Sequence, residues 1–374
     1  MAGIYIHIPF CRKACNYCNF HFSTAHQKLP DMVDAIIREA HLKKNYITGP
    51  VETIYLGGGT PSLLTQAQLD AIISTLYQLF TVVPGAEITL ETNPDDIDET
   101  SLAGWKQSGV NRLSIGIQSF ADADLAWMNR AHNASQALNA IRFAKEAGFD
   151  NITADLIYGT PTLSDEQWLI NIETLLNAGI PHISCYALTV EPKTALDQLI
   201  RQHKLEDVDP DKQARHFEIL TQKLAEAGFE HYEISNFALP GFRSRHNSSY
   251  WQGKPYLGLG PSAHSFNGSS RQWNMANNSL YLAGVTAGTI PGEEEILTPQ
   301  QQLNEYIMTS LRTLEGVSVE HVRMTWGHDQ AERLMAAVQK HISNAHVLFT
   351  ENRLKLNASG KFLADGIAAD LFDL

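Results

Sequence analysis

Six short runs of β-branched and aromatic residues recur through the first half of the chain, each followed by a helical pattern, at a spacing of about 30 residues. They are Gly3–Pro9, Glu52–Gly59, Glu87–Asn93, Arg112–Ser119, Asn151–Gly159 and His182–Val190. Alternation of this kind predicts a parallel α/β architecture, because each helix must carry the chain back across the sheet. Six units fall two short of a closed eightfold barrel, so the expected fold is a partial (β/α)6 barrel of the TIM type. Thr65 and either Asp98 or Thr100 are helix caps, and Gly109, Gly148 and Gly179 mark helix ends. One helix is expected between the fourth strand and Gly148, and Pro84–Gly85 is expected to break the chain before the third strand.

After Val190 the rhythm changes. Asp209–Gly228 predicts one long helix, and Tyr232–Gly268, rich in glycine and asparagine, shows little periodicity. From Thr298 the pattern is helical, followed by a hairpin over Val347–Leu356 turning at Glu351–Asn352, and a last helix over Gly360–Phe372. The expected organisation is a barrel over 1–235, an irregular segment and linker over 236–298, and a small α+β, winged-helix-like domain over 299–374. With 374 residues, 44% of them hydrophobic, the chain can bury a large core. A net charge of −13 argues against nucleic-acid binding. The absence of a long apolar run, or of a basic start with a cleavage site, predicts no transmembrane segment and a cytoplasmic location.

Three of the four cysteines, Cys11, Cys15 and Cys18, form a C-x3-C-x2-C run directly after the first strand. Three closely spaced thiolates suit three irons of a [4Fe–4S] cluster, leaving the fourth iron open to a small ligand. A Cys3His zinc site using His7, His21 or His26 is the competing reading. Cys185, far off in the sixth strand, is expected to be a buried small hydrophobe. Further polar or glycine-rich positions gather where the strands end: Gly57-Gly58-Gly59-Thr60 on the second, Glu91 on the third, Gln118 with nearby Arg130 on the fourth, and Asp155 on the fifth. In parallel α/β folds that edge carries the site.

The cysteine run resembles that of the radical S-adenosylmethionine (SAM) superfamily. The resemblance implies that the open iron chelates SAM, whose reductive cleavage yields a 5′-deoxyadenosyl radical. IYIHIPFC, IYLGGGTP, ETNP, RLSIGIQSF, DLIYGTP, YEISNFA and RLKLNASG look like the branch containing oxygen-independent coproporphyrinogen III oxidase, HemN. The oxidases carry a further cysteine two residues after the third, where this chain has Phe20, and a long extension before the first, where it has ten residues. With these departures and the segment HNSSYW at His246–Trp251, the chain is more similar to the HemW family of heme chaperones.

The resemblance implies one SAM molecule, or two by likeness to the oxidases. Tyr5, Gly58 and Glu91 would contact SAM on the cluster, and Tyr17, Gly59, Thr60, Gln118, Arg130 and Asp155 would line the rest. It further implies heme as ligand, with His246 as candidate axial ligand beside Asn247, Tyr250 and Trp251, and His264 as a second candidate. The implied role is delivery of heme to apo-hemoproteins such as respiratory-chain components, without coproporphyrinogen oxidase activity. The alternatives are that oxidase activity, or radical SAM chemistry on another tetrapyrrole. Anaerobic reconstitution is expected to load about four irons per chain. Iron analysis and absorption spectra check this, and a triple Cys11→Ala, Cys15→Ala, Cys18→Ala chain that kept the cluster absorption would overturn it.

Overall fold

The computed structural model describes residues 1–372, so the last two residues of the expected 299–374 unit lie outside it. The six expected strands form: β1 (Ala2–Ile8), β2 (Val51–Gly58), β3 (Val82–Thr92), β4 (Arg112–Gln118), β5 (Ile152–Tyr158) and β6 (His182–Ala187). They pair in sequence order and all run parallel. Ile54, Leu56, Leu90, Leu113, Ile115 and Leu156 are almost wholly buried, as expected of strands covered on both faces. Because the strands are parallel, Ile8, Gly58, Thr92, Gln118, Tyr158 and Ala187 all lie at one edge. The helices between them start where the caps predict. Thr65 and Asp98 each accept from a backbone N–H three residues on, within capping boxes.

Three expectations for the chain before Pro299 are corrected. First, β3 runs through Pro84 and Gly85 instead of starting after them. Pairing with β2 skips there, from Val51↔Val82 to Thr53↔Glu87, and a bulge tolerates a proline that has no N–H to give. Second, the helix after β4 is two helices, Asp122–Trp127 and Ala134–Glu146. Asn129 adopts a positive φ of 59° and Asn133 caps the second helix, so the chain turns between them. That break returns Arg130 to the strand ends. Third, the stretch expected to be irregular is ordered and largely belongs to the sheet.

After β7 (Glu230–Glu233), that stretch supplies β8 (Asn236–Ala238), β9 (Tyr256–Leu259), β10 (His264–Phe266), β11 (Ser270–Asn274) and β12 (Gly292–Ile296), with a helix at Arg245–Trp251. The complete order is β12-β11-β10-β9-β1-β2-β3-β4-β5-β6-β8-β7. Strands of three to five residues carry too few alternations to be seen in sequence. From Pro299 onward, helices and a three-stranded antiparallel sheet enclose a second core of Leu303, Ile307, Val317, Leu334, Val338 and Leu354. The expected hairpin is there, pairing Val347↔Leu356, while the expected last helix is split into Ala358–Phe362 and Ala364–Asp370. No helix among the described residues is long and apolar enough to cross a membrane.

One buried carboxylate ties the added strands to the barrel. Glu39, on the helix Leu29–Leu42, is fully buried. It accepts from Tyr281 Oη at 2.6 Å, and from Gly260 N–H and Asn274 Nδ2 at 2.7 Å each. Lys43 Nζ lies 3.1 Å from it. Glu39→Ala leaves those donors buried without an acceptor, and urea unfolding is expected to show a loss of about 3 kcal/mol, partly restored by Glu39→Gln.

Candidate functional site

Cys11, Cys15 and Cys18 lie half-buried in the loop that leaves β1 at the shared strand edge. Backbone contacts hold the loop from two sides. Ser23 N–H donates to Pro9 O at 2.9 Å and Cys11 N–H to Ser23 O at 3.1 Å. Asn16 donates from its backbone to Met128 O at 3.1 Å and from its side chain to Trp127 O at 2.8 Å. Asn129 Nδ2 reaches Ala14 O at 2.7 Å. The loop is thus sutured to the break between the two helices after β4.

Arg130 sits in that break and does three things. Its Nη1 donates to Cys15 Sγ at 3.3 Å, and its Nη2 donates to Asn93 Oδ1 at 2.7 Å and to Gly116 O at 2.8 Å. Its Nε is buried without a partner among the described residues. Burial, together with the neighbouring thiols, pushes Cys11 up to about 11 and Cys18 above its ordinary value. Such a thiol set needs cationic partners before it ionises, as irons would provide.

The zinc reading finds little support in the side chains. No three His, Cys, Asp or Glu side chains among the described residues gather closely enough to hold one ion. His7 is engaged at both nitrogens, by Tyr5 Oη at 3.1 Å and His21 O at 2.9 Å, and His26 Nε2 meets Cys11 O at 2.7 Å. A cubane needs no such convergence, since each thiolate takes its own iron. The donor set therefore fits the cluster.

The glycines of β2 serve the loop directly. Gly58 has φ +107°, and a β-carbon there would lie 2.6 Å from His7 Nδ1. At Gly59 it would lie 2.6 Å from Phe10 O, while Gly59 N–H donates to Ile8 O at 2.9 Å. Their bareness brings the cysteine loop onto the end of β2. Buried Thr60 accepts from Asn93 Nδ2 at 3.2 Å, which joins it to Arg130. Gln118, at φ 65°, lies beside Arg130 over Gly116. Tyr17 packs in a small apolar cluster with Leu125, Met128, Ile157 and Leu196.

Glu91 faces the same edge. It accepts from Tyr55 Oη at 2.7 Å and from Gly58 N–H at 3.2 Å. Burial still wins, raising its pKa to about 7. Asp155, bonded by Ser114 Oγ at 3.2 Å, is raised to about 6 for the same reason. Gly58, Gly59, Thr60, Glu91, Gln118 and Arg130 are thus brought to one edge, while Tyr5 and Asp155 stand midway along β1 and β5. Tyr55 and Asn93 were not singled out from sequence. The face shared by Tyr55 and Gly57 on β2 was the available signal for the first.

The HNSSYW segment falls in the short helix Arg245–Trp251. His246 is 1% exposed. Its Nδ1 meets Thr53 Oγ1 at 2.8 Å and its Nε2 meets Tyr250 Oη at 2.8 Å. Its ring stacks on Tyr55 with centroids 4.9 Å apart, and burial holds its pKa down at about 3. Ligating iron would require one of those bonds to break and the ring to leave its slot. Asn247, in the first turn of the same short helix, is half-buried and donates its N–H to Ser244 Oγ at 3.2 Å. Tyr250 and Trp251 instead line a cavity of about 1280 Å³. Its other walls include Phe20, His21, Phe266, Tyr306 and Trp326, with Arg243, Lys254, Arg271 and Arg353 among its cations. Trp251 Nε1 is buried there without a partner among the described residues.

A profile described as the radical SAM superfamily matches residues 5–175, and one described as the HemN C-terminal domain matches 297–363. The heme chaperone HemW of Mycobacterium tuberculosis is 34% identical over 99% of this chain and 94% of its own length. That of Bacillus subtilis is 31% identical over 98% of both. Coproporphyrinogen III oxidase HemN from Escherichia coli, described as a radical SAM enzyme, superposes with a TM-score of 0.86 at 21% identity, covering 99% of this chain and 90% of that one. That likeness speaks for the fold.

A carboxyl whose pKa is raised on folding favours the fold most when protonated, and this advantage is lost as pH rises through its folded value. Glu91→Gln is therefore expected to stabilise the cofactor-free chain at pH 8 by about 2 kcal/mol. The gain should vanish near pH 4, and denaturant unfolding at both pH values measures it.

Proposed function

The chain belongs to the HemW family within the radical SAM superfamily, and on that premise we propose that it is a heme chaperone: it binds heme in the aromatic cavity and delivers it to apo-hemoproteins, respiratory-chain components among them. One observation carries the reading. The cavity of about 1280 Å³ starts at Phe20 and His21, just past the cysteines, and extends to Tyr250 and Trp251. Flat aromatic walls suit a porphyrin, and the cations suit its carboxylates.

The superfamily implies a [4Fe–4S] cluster and SAM. Cys11, Cys15 and Cys18 would hold the cluster. Tyr5, Gly58 and Glu91 would face SAM, with Tyr17, Gly59, Thr60, Gln118, Arg130 and Asp155 around them. When bound, these groups supply one-electron chemistry. The chain's own part is to fix them: Arg130 steadies Cys15, and Glu91 offers a carboxylate already oriented by Tyr55 and Gly58. In this reading 236–298 is the wall shared between the barrel (1–235) and the C-terminal unit (299–374).

Phe20 supports the chaperone over the oxidase. Where the oxidases have a further cysteine, this chain places a phenyl ring, 67% exposed, on the cavity lip. The test is anaerobic. Reconstituted protein loaded with heme, then mixed with an apo-hemoprotein, is expected to transfer intact heme, followed by the acceptor's spectrum. In parallel, SAM, reductant and coproporphyrinogen III should give no protoporphyrinogen. Catalytic formation of that product, or failure to take up heme, would overturn the proposal.

A further inference from the structure

His246 is locked at both nitrogens, so iron held in the cavity needs another ligand. Four histidines line the cavity: His7, His21, His264 and His321. His7 has both nitrogens engaged, and His21 Nε2 is bound to Asn278 Oδ1 at 2.7 Å. The His321 ring is wedged between Tyr306 and Trp326, with centroids 4.7 and 5.5 Å away.

His264 differs. Its imidazole is exposed to the cavity and rests on Trp273, with centroids 6.1 Å apart and planes 26° apart. The strand pairing sets its neighbours. β10 and β11 pair antiparallel, with His264 opposite Trp273 and Phe266 opposite Arg271. Residues directly opposite, and those two apart on a strand, share a face. His264, Phe266 and Arg271 accordingly all line the cavity, while Ser265 between them is buried. Arg271 lies over the Phe266 ring, 5.8 Å from its centroid. It pairs with Glu305 at 2.8 Å, yet its Nε is buried without a partner among the described residues.

The geometry points to His264 as the axial ligand to heme iron, with Phe266 against the porphyrin and Arg271 receiving a propionate; His246 is then a positioning residue that holds Tyr250 at the wall. This inference rests on the heme-chaperone reading and assigns its ligand. His264 and Phe266 stand two residues, about 7 Å, apart along one strand, and Arg271 lies beside Phe266 on the next, so iron ligand, flat surface and cation share one face. Partial desolvation, with Arg271 nearby, pulls the His264 pKa below its ordinary value and keeps the ring in the neutral form that binds iron.

Hemin titration of the full chain, followed by Soret absorption and electron paramagnetic resonance, tests this. His264→Ala is expected to weaken hemin binding by about tenfold or more and to lose the imidazole-ligated spectrum, which added free imidazole should restore. Arg271→Gln should weaken binding while keeping the ligation spectrum. Circular dichroism shows whether each variant is folded, and His264→Gln provides a second, less disruptive substitution. Wild-type spectrum and affinity in both His264 variants, with the signature lost in His246→Ala, would overturn the assignment. If the wild-type chain takes up no hemin, the chaperone reading itself falls, which is a separate outcome.

Discussion

A carbonyl resting where a side chain would otherwise be governs the site. Phe10 O lies over Gly59 at a distance no β-carbon tolerates, and Gly59 N–H closes the contact onto Ile8 O. That contact presses the first strand's loop onto the second strand's end. From there the cysteines face Arg130, Arg130 reaches Asn93 on β3's exit, and Asn93 reaches back to Thr60. Asn93 and Thr60 stand just past strands of the parallel set, and Arg130 is brought back to them by the break between the two helices after β4. Loops alone would not hold four such chain segments in one arrangement.

What was legible in sequence follows from periodicity. β1 to β6 were found because buried parallel strands are long apolar runs with helices between them. The cysteines were found by spacing and by position after a strand. The strand-end residues followed once the sheet was parallel. Three things were hidden. The short strands β7 to β12 lack enough alternation to register. The turn at Asn129, which sends Arg130 back to the site, depends on a positive φ that a lone asparagine only permits. And the burial of His246 depends on Thr53 and Tyr250, one of them 193 residues away. A motif names the residues but not the side of the wall on which each stands.

That wall joins two spaces. Tyr55 bonds Glu91 on the barrel side and stacks on His246, which bonds Tyr250 on the cavity side. Tyr5 stacks against Tyr55 and His246, with centroids 6.1 and 6.5 Å away. Each step is either a hydrogen bond or a ring stack, so displacement at either end has a physical route to the other. In this respect HNSSYW lies between the polar strand-end cluster and the aromatic cavity.

The long sheet ends in two unlike ways. Beyond β7, Leu314 N–H bonds Tyr232 O at 3.0 Å, so the C-terminal segment covers that rim. At the other end β12, sequence GEEEI, is exposed at every residue and, among the described residues, pairs with β11 alone. Three successive glutamates there meet any like strand with like charge. The acidic rim acts as an electrostatic bumper: it discourages copies of the chain from zipping edge to edge, and its protection weakens at high ionic strength.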